Sequence, residues 1–379
     1  MEMAAIQAVV SRNEARLLKN LKELVEIESP SHDKAAVDQA MAYGIALAAT
    51  FGGKAKRYKQ KQFGDVVEVR FGPARSKRKP VLLLGHLDTV WPMGTLKNMP
   101  WRESEGKIFG PGVLDMKSGV VMAMEAVAAL RELELLDRPV VLLLNSEEEI
   151  GSPVSRAITE RVAQECAAVF VMEPAQGLAY KTARKGIGNY TLHVEGVASH
   201  SGVDFEKGHS AIREMARLIE TVSSFTDLKK GLTVNVGTVQ GGTQSNVIAA
   251  ECSAAVDVRI VKKSDGARVD KMFRALRVTD KACKLTVTGG INRPPMERSA
   301  GTVTLYKTAR KLAAELGFVL DEAATGGGSD GNFTAAIGVP TLDGMGTIGA
   351  GAHAAHEHIV RSSLTERTAM LAGMIAASE

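Results

Sequence analysis

Five short segments of the sequence carry acids or histidines of the types that bind divalent metal ions. They are GHLDT with His86 and Asp88, GPGVLD with Asp115, NSEEEIGS with Glu147–Glu149, MEP with Glu173, and GAHAAHEH (351–358) with His353. Imidazole nitrogens and carboxylate oxygens suit Zn²⁺ and similar ions. Each segment alone is weak evidence, but their joint occurrence in this order suits two such ions.

Short apolar runs indicate how these residues would be brought together. Val81–Leu84, Val140–Leu144 and Val169–Met172 have the length and composition of strands buried on both faces. Open α/β sheets place their sites beyond the carboxyl ends of such strands, where these segments lie. Two ions sharing one Asp could hold and activate a water, and a free Glu beside them could take its proton.

Taken singly, several of these residues have simpler explanations. Asp115 could cap the helix that follows it, Glu173 could be an exposed strand-end residue, and the histidines could form a surface tract. Glu147–Glu149 are harder to explain, because three adjacent carboxylates at the end of a buried strand repel one another. A nearby cation would relieve that repulsion.

The elements that must position these residues alternate between helix and strand. Helical periodicity covers 14–28, 117–134, 302–316 and 363–377, and a further strand is predicted at 66–71. This alternation predicts an α/β fold with helices layered on a sheet.

The middle of the chain has a different pattern, βαββαβ, which is typical of a ferredoxin-like domain. Its predicted strands and helices lie at 190–195, 209–224, 232–239, 252–260, 265–277 and 283–288. The sequence therefore predicts a catalytic domain in two parts, 1–183 and 292–379, with the ferredoxin-like domain inserted at 184–291.

Composition limits the classes of protein that fit. The 47 Lys and Arg against 43 Asp and Glu give a formal charge of +4, which argues against a dedicated nucleic-acid binder. Apolar residues at 45% and charged residues at 24% are typical of a globular protein. The basic stretches 54–61 and 74–79 are predicted to be solvated loops that flank a strand.

Cysteine usage and hydropathy indicate the compartment. Cys166, Cys252 and Cys283 are odd in number and form no C-x-x-C, which predicts buried thiols in a reducing cytoplasm. The N-terminal residues lack the basic region followed by an apolar region that would indicate a secretory signal. In addition, no apolar run approaches the roughly 18 residues of a membrane span. A cytoplasmic protein without a membrane or nucleic-acid partner is expected.

The sequence resembles the M20 family of metallopeptidases and deacylases, and within it the glutamate carboxypeptidase (carboxypeptidase G2-like) branch. The motifs that carry the resemblance run from residue 85 to 357 and are GHLDTV, GPGVLDMKSG, EEEIGS, MEP, ASHSG, TGGGSD and GAHAAHE. The resemblance implies a zinc-exopeptidase-like α/β catalytic domain with an inserted lid and dimerisation domain.

The resemblance also implies two Zn²⁺ ions per subunit, with Co²⁺ or Mn²⁺ as alternatives. His86 and Glu173 would hold one ion, Glu149 and His353 would hold the other, and Asp115 would bridge both.

Three further features of the site follow from the same resemblance. Glu148 would be the general base, Asp88 would orient His86, and a cis peptide bond is expected between Asp115 and Met116. Many relatives carry a second Asp at position 116 and an Asp at position 147. The role of Glu147 is therefore open.

In the inserted domain, His200 of ASHSG resembles a histidine that reaches the partner subunit's site and stabilises an oxyanion. The resemblance implies a further set of substrate contacts, which comprises Asn246 in SNVI, Arg259 in DVRI, Arg293 in NRPP, and Gly327 and Gly328 in the glycine-rich loop. Salt bridges are the alternative for the two arginines, and turn geometry is the alternative for the glycines.

The sequence leaves three alternatives to a metallopeptidase. GGSDG (327–331) fits G-x-S-x-G, with Asp343 and His353 following as in α/β-hydrolases, but the TGG stretch before Ser329 does not have the pattern of a strand. His86, Asp88 and His353 mimic an iron-binding triad, which usually lies on an all-β fold. The third is a non-catalytic, metal-binding family member.

The expected function is that of a homodimeric di-zinc metallocarboxypeptidase or amidohydrolase. It would release a C-terminal amino acid, with glutamate favoured, from a small peptide or N-acyl amino acid. An N-acyl-amino-acid deacylase of the acetylornithine, succinyl-diaminopimelate or aminoacylase type is the alternative.

Overall fold

A computed structural model describes residues 3–378, which form two compact units. The first unit comprises the chain up to Ala183, Arg298–Ala324, and the chain from Ser329 onwards. The second unit comprises Arg184–Glu297 and the short segment Thr325–Gly328. The role of the inserted segment as a lid and dimerisation domain stays a prediction.

The strands occur in both units. In chain order they are β1 (Lys54–Tyr58), β2 (Val66–Phe71), β3 (Val81–His86), β4 (Arg102–Ser104), β5 (Lys107–Phe109), β6 (Val140–Asn145), β7 (Ala168–Val171), β8 (Ala179–Arg184), β9 (Gly186–Glu195), β10 (Thr233–Gly241), β11 (Glu251–Ile260), β12 (Lys284–Arg293), β13 (Asp321–Thr325), β14 (Thr341–Leu342), β15 (Gly349–Ala350) and β16 (His358–Val360).

The helices alternate with these strands. They are α1 (Met3–Arg12), α2 (Glu14–Val25), α3 (Lys34–Thr50), α4 (Ser118–Glu132), α5 (Arg156–Gln164), α6 (Ala211–Ser223), α7 (Lys263–Arg274), α8 (Ala300–Glu315), α9 (Gly331–Ala336) and α10 (Arg361–Ala377).

The first unit is built on a six-stranded sheet in the order β1-β2-β6-β3-β7-β14. Strands β6, β3, β7 and β14 run parallel, and every residue of β3, β6 and β7 is buried. Alternate residues of β3 enter two different cores, because successive side chains of a strand point to opposite faces. The α/β class and the strands expected from the apolar runs are confirmed.

The prediction that residues 54–61 form a solvated loop is wrong for Lys54–Tyr58. This segment pairs antiparallel with β2 as the edge strand of the sheet, and four of its five residues are exposed. Exposed basic side chains hide the hydrophobic alternation that identifies a strand. Such residues also discourage an edge strand from pairing with another chain.

The second unit has a four-stranded antiparallel sheet in the order β10-β11-β9-β12. Its elements follow the chain order β9, α6, β10, β11, α7, β12, which is the predicted βαββαβ pattern. Side chains of β9 and β11 alternate between buried and more exposed positions. The buried set packs with α6 and α7 to give this unit its own core.

Candidate metal centre

The parallel strands of the first unit end at the candidate residues. Strand β3 ends at His86, and β6 ends at Asn145, just before Glu148 and Glu149 enter a short 3₁₀ turn. Strand β7 ends at Val171, two residues before Glu173. Since the carboxyl ends of parallel strands meet at one edge, residues far apart in the sequence come together there.

Two groups of side chains meet at the carboxylate of Asp115. In the first group, Nε2 of His86 lies 3.3 Å from Asp115 Oδ1 and 3.6 Å from Glu173 Oε1. In the second group, Nε2 of His353 lies 3.4 Å from Asp115 Oδ2 and 3.1 Å from Glu149 Oε2. Each oxygen of Asp115 therefore faces one group.

The donor set and its spacing fit divalent cations. Ligand atoms about 2.0–2.2 Å from a tetrahedral ion lie roughly 3.3–3.6 Å apart, and the measured separations fall close to that range. His86 Nε2 and Asp115 Oδ1 are buried without a hydrogen-bond partner among residues 3–378. Buried polar atoms rarely stay unpartnered, so an ion explains both.

The charges of this cluster shift the pKa values of its members. Burial lowers the pKa of His86, but three neighbouring carboxylates outweigh it and raise the pKa well above its ordinary value. The carboxylates of Asp115 and Glu149 raise the pKa of His353 to about 10. Burial raises the pKa of Glu149 to about 7. Strongly shifted groups of this kind mark candidate functional sites, and ion binding would displace the protons.

Asp88 holds two parts of the site at once. Its Oδ1 accepts a hydrogen bond from the Glu148 amide at 3.1 Å, and its Oδ2 accepts from the Glu149 amide at 3.2 Å and from Ser31 Oγ at 2.7 Å. Nδ1 of His86 lies 2.9 Å from the Asp88 carbonyl oxygen and 3.3 Å from Oδ1. A proton on Nδ1 therefore leaves Nε2 with a free electron pair, which a cation near Asp115 could accept.

Glu147 has a different surrounding from its two neighbours. Its carboxylate is fully buried and accepts hydrogen bonds from the backbone amides of Val154 and Ser155, at 3.1 and 2.6 Å, and from Ser146 Oγ at 2.5 Å. The amides belong to the segment that leads into α5. Glu147 is thus a buried anchor for the start of that helix.

The peptide bond between Asp115 and Met116 is cis, as expected from the resemblance. Sequence reasoning missed the residue that contacts this loop, Glu357, whose buried carboxylate accepts hydrogen bonds from the amides of Leu114 and Asp115. Its position in GAHAAHE, four residues after His353, was the available signal.

The remaining candidate residues lie in the second unit. His200 is exposed, and its Nδ1 accepts a hydrogen bond from the Gly202 amide at 3.1 Å, so a neutral imidazole carries its proton on Nε2. Asn246 is exposed as well. Arg259 donates two hydrogen bonds of 2.9 Å to the carboxylate of Asp257. This is the salt bridge that the sequence analysis gave as the alternative to substrate contact.

Arg293 is buried in the second unit beside Gly328. A Cβ atom on Gly328 would lie 3.0 Å from Arg293 Cδ and 2.7 Å from Ile187 Cδ1, so a side chain there would displace its neighbours. Arg184, which sequence reasoning missed, donates to the carbonyl oxygens of Gly327 and Gly328 at 3.4 and 3.1 Å. Substrate contact by these residues stays a prediction.

Two of the rival interpretations conflict with the structure. Ser329 is fully buried, and its hydroxyl donates to Asp343 Oδ2 at 2.5 Å and accepts from the Gly331 amide at 3.1 Å. It is therefore not placed as a nucleophile. The iron triad requires Asp88 as a ligand on an all-β fold, yet its carboxylate oxygens accept the hydrogen bonds described above and the fold is α/β.

Comparison with known proteins identifies the family. The model of the peptidase family M20/M25/M40 matches residues 82–377. The chain belongs to this family. Carboxypeptidase G2 of Pseudomonas sp. (strain RS-16) is 28% identical over 370 residues, which cover 95% of this chain and 88% of the relative.

Two further comparisons show the range of similar proteins. Acetylornithine deacetylase of Myxococcus xanthus is 26% identical over 62% of this chain and 65% of the relative. The crystal structure of aminopeptidase PepT from Bacillus cereus shares the fold at a TM-score of 0.79 and 21% identity, covering 96% of this chain and 98% of that one. This M20 protein is therefore an enzyme, a metal-dependent peptidase or amidohydrolase.

The helices of the described chain give no candidate for a membrane span, since none is both long and apolar enough. The three cysteines are free and buried, as the sequence analysis expected.

Proposed function

We propose that this M20 enzyme is a di-metal exopeptidase that releases a C-terminal amino acid from a small peptide or N-acyl amino acid. The observation that carries the proposal is the position of Asp115, whose two oxygens face two separate groups of candidate ligands. His86 and Glu173 would hold one ion, and Glu149 and His353 would hold the other.

Bound divalent ions would polarise the scissile carbonyl and acidify a water. Glu148 is half-buried next to the proposed ligand Glu149, and its backbone amide donates a hydrogen bond to the Asp88 carboxylate. Its carboxylate would take a proton from the attacking water as the new carbon–oxygen bond forms. It would then deliver that proton to the amine nitrogen as the carbon–nitrogen bond breaks.

The second unit would supply groups that recognise the substrate. The Nε2–H of His200 would donate to the oxyanion of the tetrahedral intermediate, in the site of the partner subunit of a homodimer. The guanidinium of Arg293 would bind the terminal carboxylate, with Arg259 and Asn246 as further contacts. Zinc is typical of the family, and glutamate is the favoured C-terminal residue because of the resemblance to carboxypeptidase G2.

Replacing Glu148 tests the proposed base directly. Glu148→Gln keeps the size of the side chain but cannot accept a proton, so kcat should fall by at least about 100-fold. Metal content, measured by elemental analysis, should stay at the wild-type level.

Glu160→Gln is the matched control, since Glu160 lies on the surface of α5 in an ion pair with Arg156. It should keep both activity and metals. Normal hydrolysis by Glu148→Gln would remove Glu148 from its assigned role.

A deacylase is the second candidate, because acetylornithine deacetylase is also a relative. Purified enzyme should be assayed on C-terminal glutamyl peptides, N-acyl glutamates and N-acetylornithine. A kcat/KM highest for N-acetylornithine would favour the deacylase.

A further inference from the structure

The carboxylate of Glu357 is fully buried and accepts hydrogen bonds from four donors. Oε1 accepts from the amides of Leu114 and Asp115, at 2.9 and 3.1 Å. Oε2 accepts from the amide of Gly112 at 3.0 Å and from Trp91 Nε1 at 2.9 Å. Three of the four donors are backbone groups of the loop that carries Asp115.

The loop that carries His353 is tied to the same carboxylate. The Ala354 amide donates to the Gly351 carbonyl, and the Glu357 amide donates to the Ala354 carbonyl, both at 2.8 Å. A Cβ atom on Gly351 would lie 2.8 Å from His356 Cδ2 and 3.0 Å from the Glu357 nitrogen, so the turn has no spare room. His353 itself has a φ of 62° within this turn. Its position therefore depends on where Glu357 is anchored.

We propose that Glu357 is a positioning residue for the metal centre, because it joins the loop of Asp115 to the loop of His353. The proposal rests on the proposed function, since the distance between these loops matters to the enzyme only if both side chains bind metal. An ionised carboxylate can accept all four hydrogen bonds, whereas a glutamine of the same shape offers one acceptor oxygen and an NH₂ group. Loss of a residue that orients the metal ligands typically changes metal affinity by about 10–100-fold.

Glu357→Gln tests this proposal by metal affinity. With its oxygen toward Leu114 and Asp115, the new NH₂ group faces the N–H groups of Gly112 and Trp91. Zinc titration of the metal-free protein against a chromophoric chelator should show affinity reduced 10–100-fold. Trp91→Phe is the matched control, since it removes one donor and leaves the three loop amides bound, and its affinity should stay within about twofold of wild type.

The double variant Trp91→Phe/Glu357→Gln makes the test specific. It removes the contact between the new NH₂ group and the indole N–H, which is one of the two contacts between hydrogen-bond donors. It should bind zinc more tightly than Glu357→Gln alone, and such coupling is expected of residues that share a contact. If Glu357→Gln does not fold, as judged by circular dichroism, the double variant is compared with Trp91→Phe instead and should bind zinc more weakly.

Two results would overturn the proposal. If Glu357→Gln lost stability to urea but kept wild-type zinc affinity, Glu357 would have a structural role alone. If the double variant bound zinc no more tightly than Glu357→Gln, the donor–donor contact would not be the cause. Failure of the wild-type protein to bind two zinc equivalents would instead reject the proposed function, and this measurement comes first.

Discussion

At the scale of single residues, Glu147, Glu148 and Glu149 have three different surroundings. Glu147 is buried against backbone amides, Glu148 is half-buried, and Glu149 Oε2 lies 3.1 Å from Nε2 of His353. The 3₁₀ turn that begins at Glu148 sends successive side chains in different directions. The three carboxylates therefore avoid the repulsion that they would suffer on one face.

Glu147→Ala should lower stability rather than abolish metal binding. Truncation leaves the buried Ser155 amide without its acceptor, at a cost of about 1–3 kcal/mol, and the half-buried Val154 amide at a cost of about 1 kcal/mol. The free energy of unfolding in urea should fall by about 2–4 kcal/mol.

Glu160→Ala in α5 provides the comparison, because Glu160 is only half-buried and makes an i,i+4 ion pair with Arg156. It should change stability by less than about 0.5 kcal/mol. Loss of metal from Glu147→Ala at unchanged stability would mean that Glu147 acts on the metal centre instead.

Sequence predicted the types and the order of the residues that meet at Asp115, because each follows a recognisable apolar run or motif. It did not predict the roles of Glu147 and Glu357. The amides that Glu147 binds lie seven and eight residues further along the chain, and the loop amides that Glu357 binds lie more than 240 residues before it. Such partners depend on tertiary packing, which local patterns do not encode.

At the scale of elements, a close backbone contact fixes how near helix α4 lies to the end of strand β7. Gly119 in the first turn of α4 lies against the end of β7, and a Cβ atom there would come within 2.1 Å of the Met172 carbonyl oxygen. Glu173 follows Met172 directly. The glycine thus lets α4 approach the backbone that carries this candidate ligand.

Strands buried on both faces were predictable, because continuous apolar runs of four or five residues are short for a helix. Edge strand β1 was not, since its exposed lysines resemble those of a loop. The segment Thr325–Gly328 also eluded prediction, because its membership of the second unit depends on contacts with residues more than 60 positions away.

Gly328→Ala should weaken substrate binding through the buried Arg293. The new methyl group pushes the Arg293 stem and Ile187 aside, and an off-rotamer side chain costs about 0.5–1.5 kcal/mol. KM should therefore rise about two- to tenfold, while kcat changes less.

Gly326→Ala is the matched control in the same loop, at a glycine outside the predicted substrate contacts. Among residues 3–378, a Cβ atom there would meet no heavy atom within 4 Å beyond its chain neighbours, so KM should stay near the wild-type value. Equal effects of the two substitutions would argue against a specific contact between Gly328 and Arg293.

At the scale of the whole molecule, the proposed catalytic groups divide between the two units. All candidate ligands and Glu148 lie in the first unit, whereas His200 lies in the second. If His200 completes the site of the partner subunit, Glu148→Ala and His200→Ala are each inactive alone. A hybrid dimer of the two then contains one intact site, so mixing and exchanging subunits should restore part of the activity.

That experiment needs freshly exchanged heterodimers, isolated by two different affinity tags and verified by mass. Activity approaching half of the wild-type value per dimer is the expected result. Heterodimers that stay inactive would place His200 in the site of its own subunit or outside the reaction.

Metal removal should affect the two units unequally. A ligand that binds only the folded state stabilises it by RT ln(1 + [L]/Kd), or about 4 kcal/mol at a thousandfold excess over Kd. Since every candidate ligand lies in the first unit, chelation should speed amide hydrogen exchange in β3, β6 and β7. Exchange in β9 and β11 of the second unit should change much less, because that unit has its own sheet and core. A uniform increase across both sheets would mean that the units unfold together, and an increase confined to the second would contradict the proposed ligands.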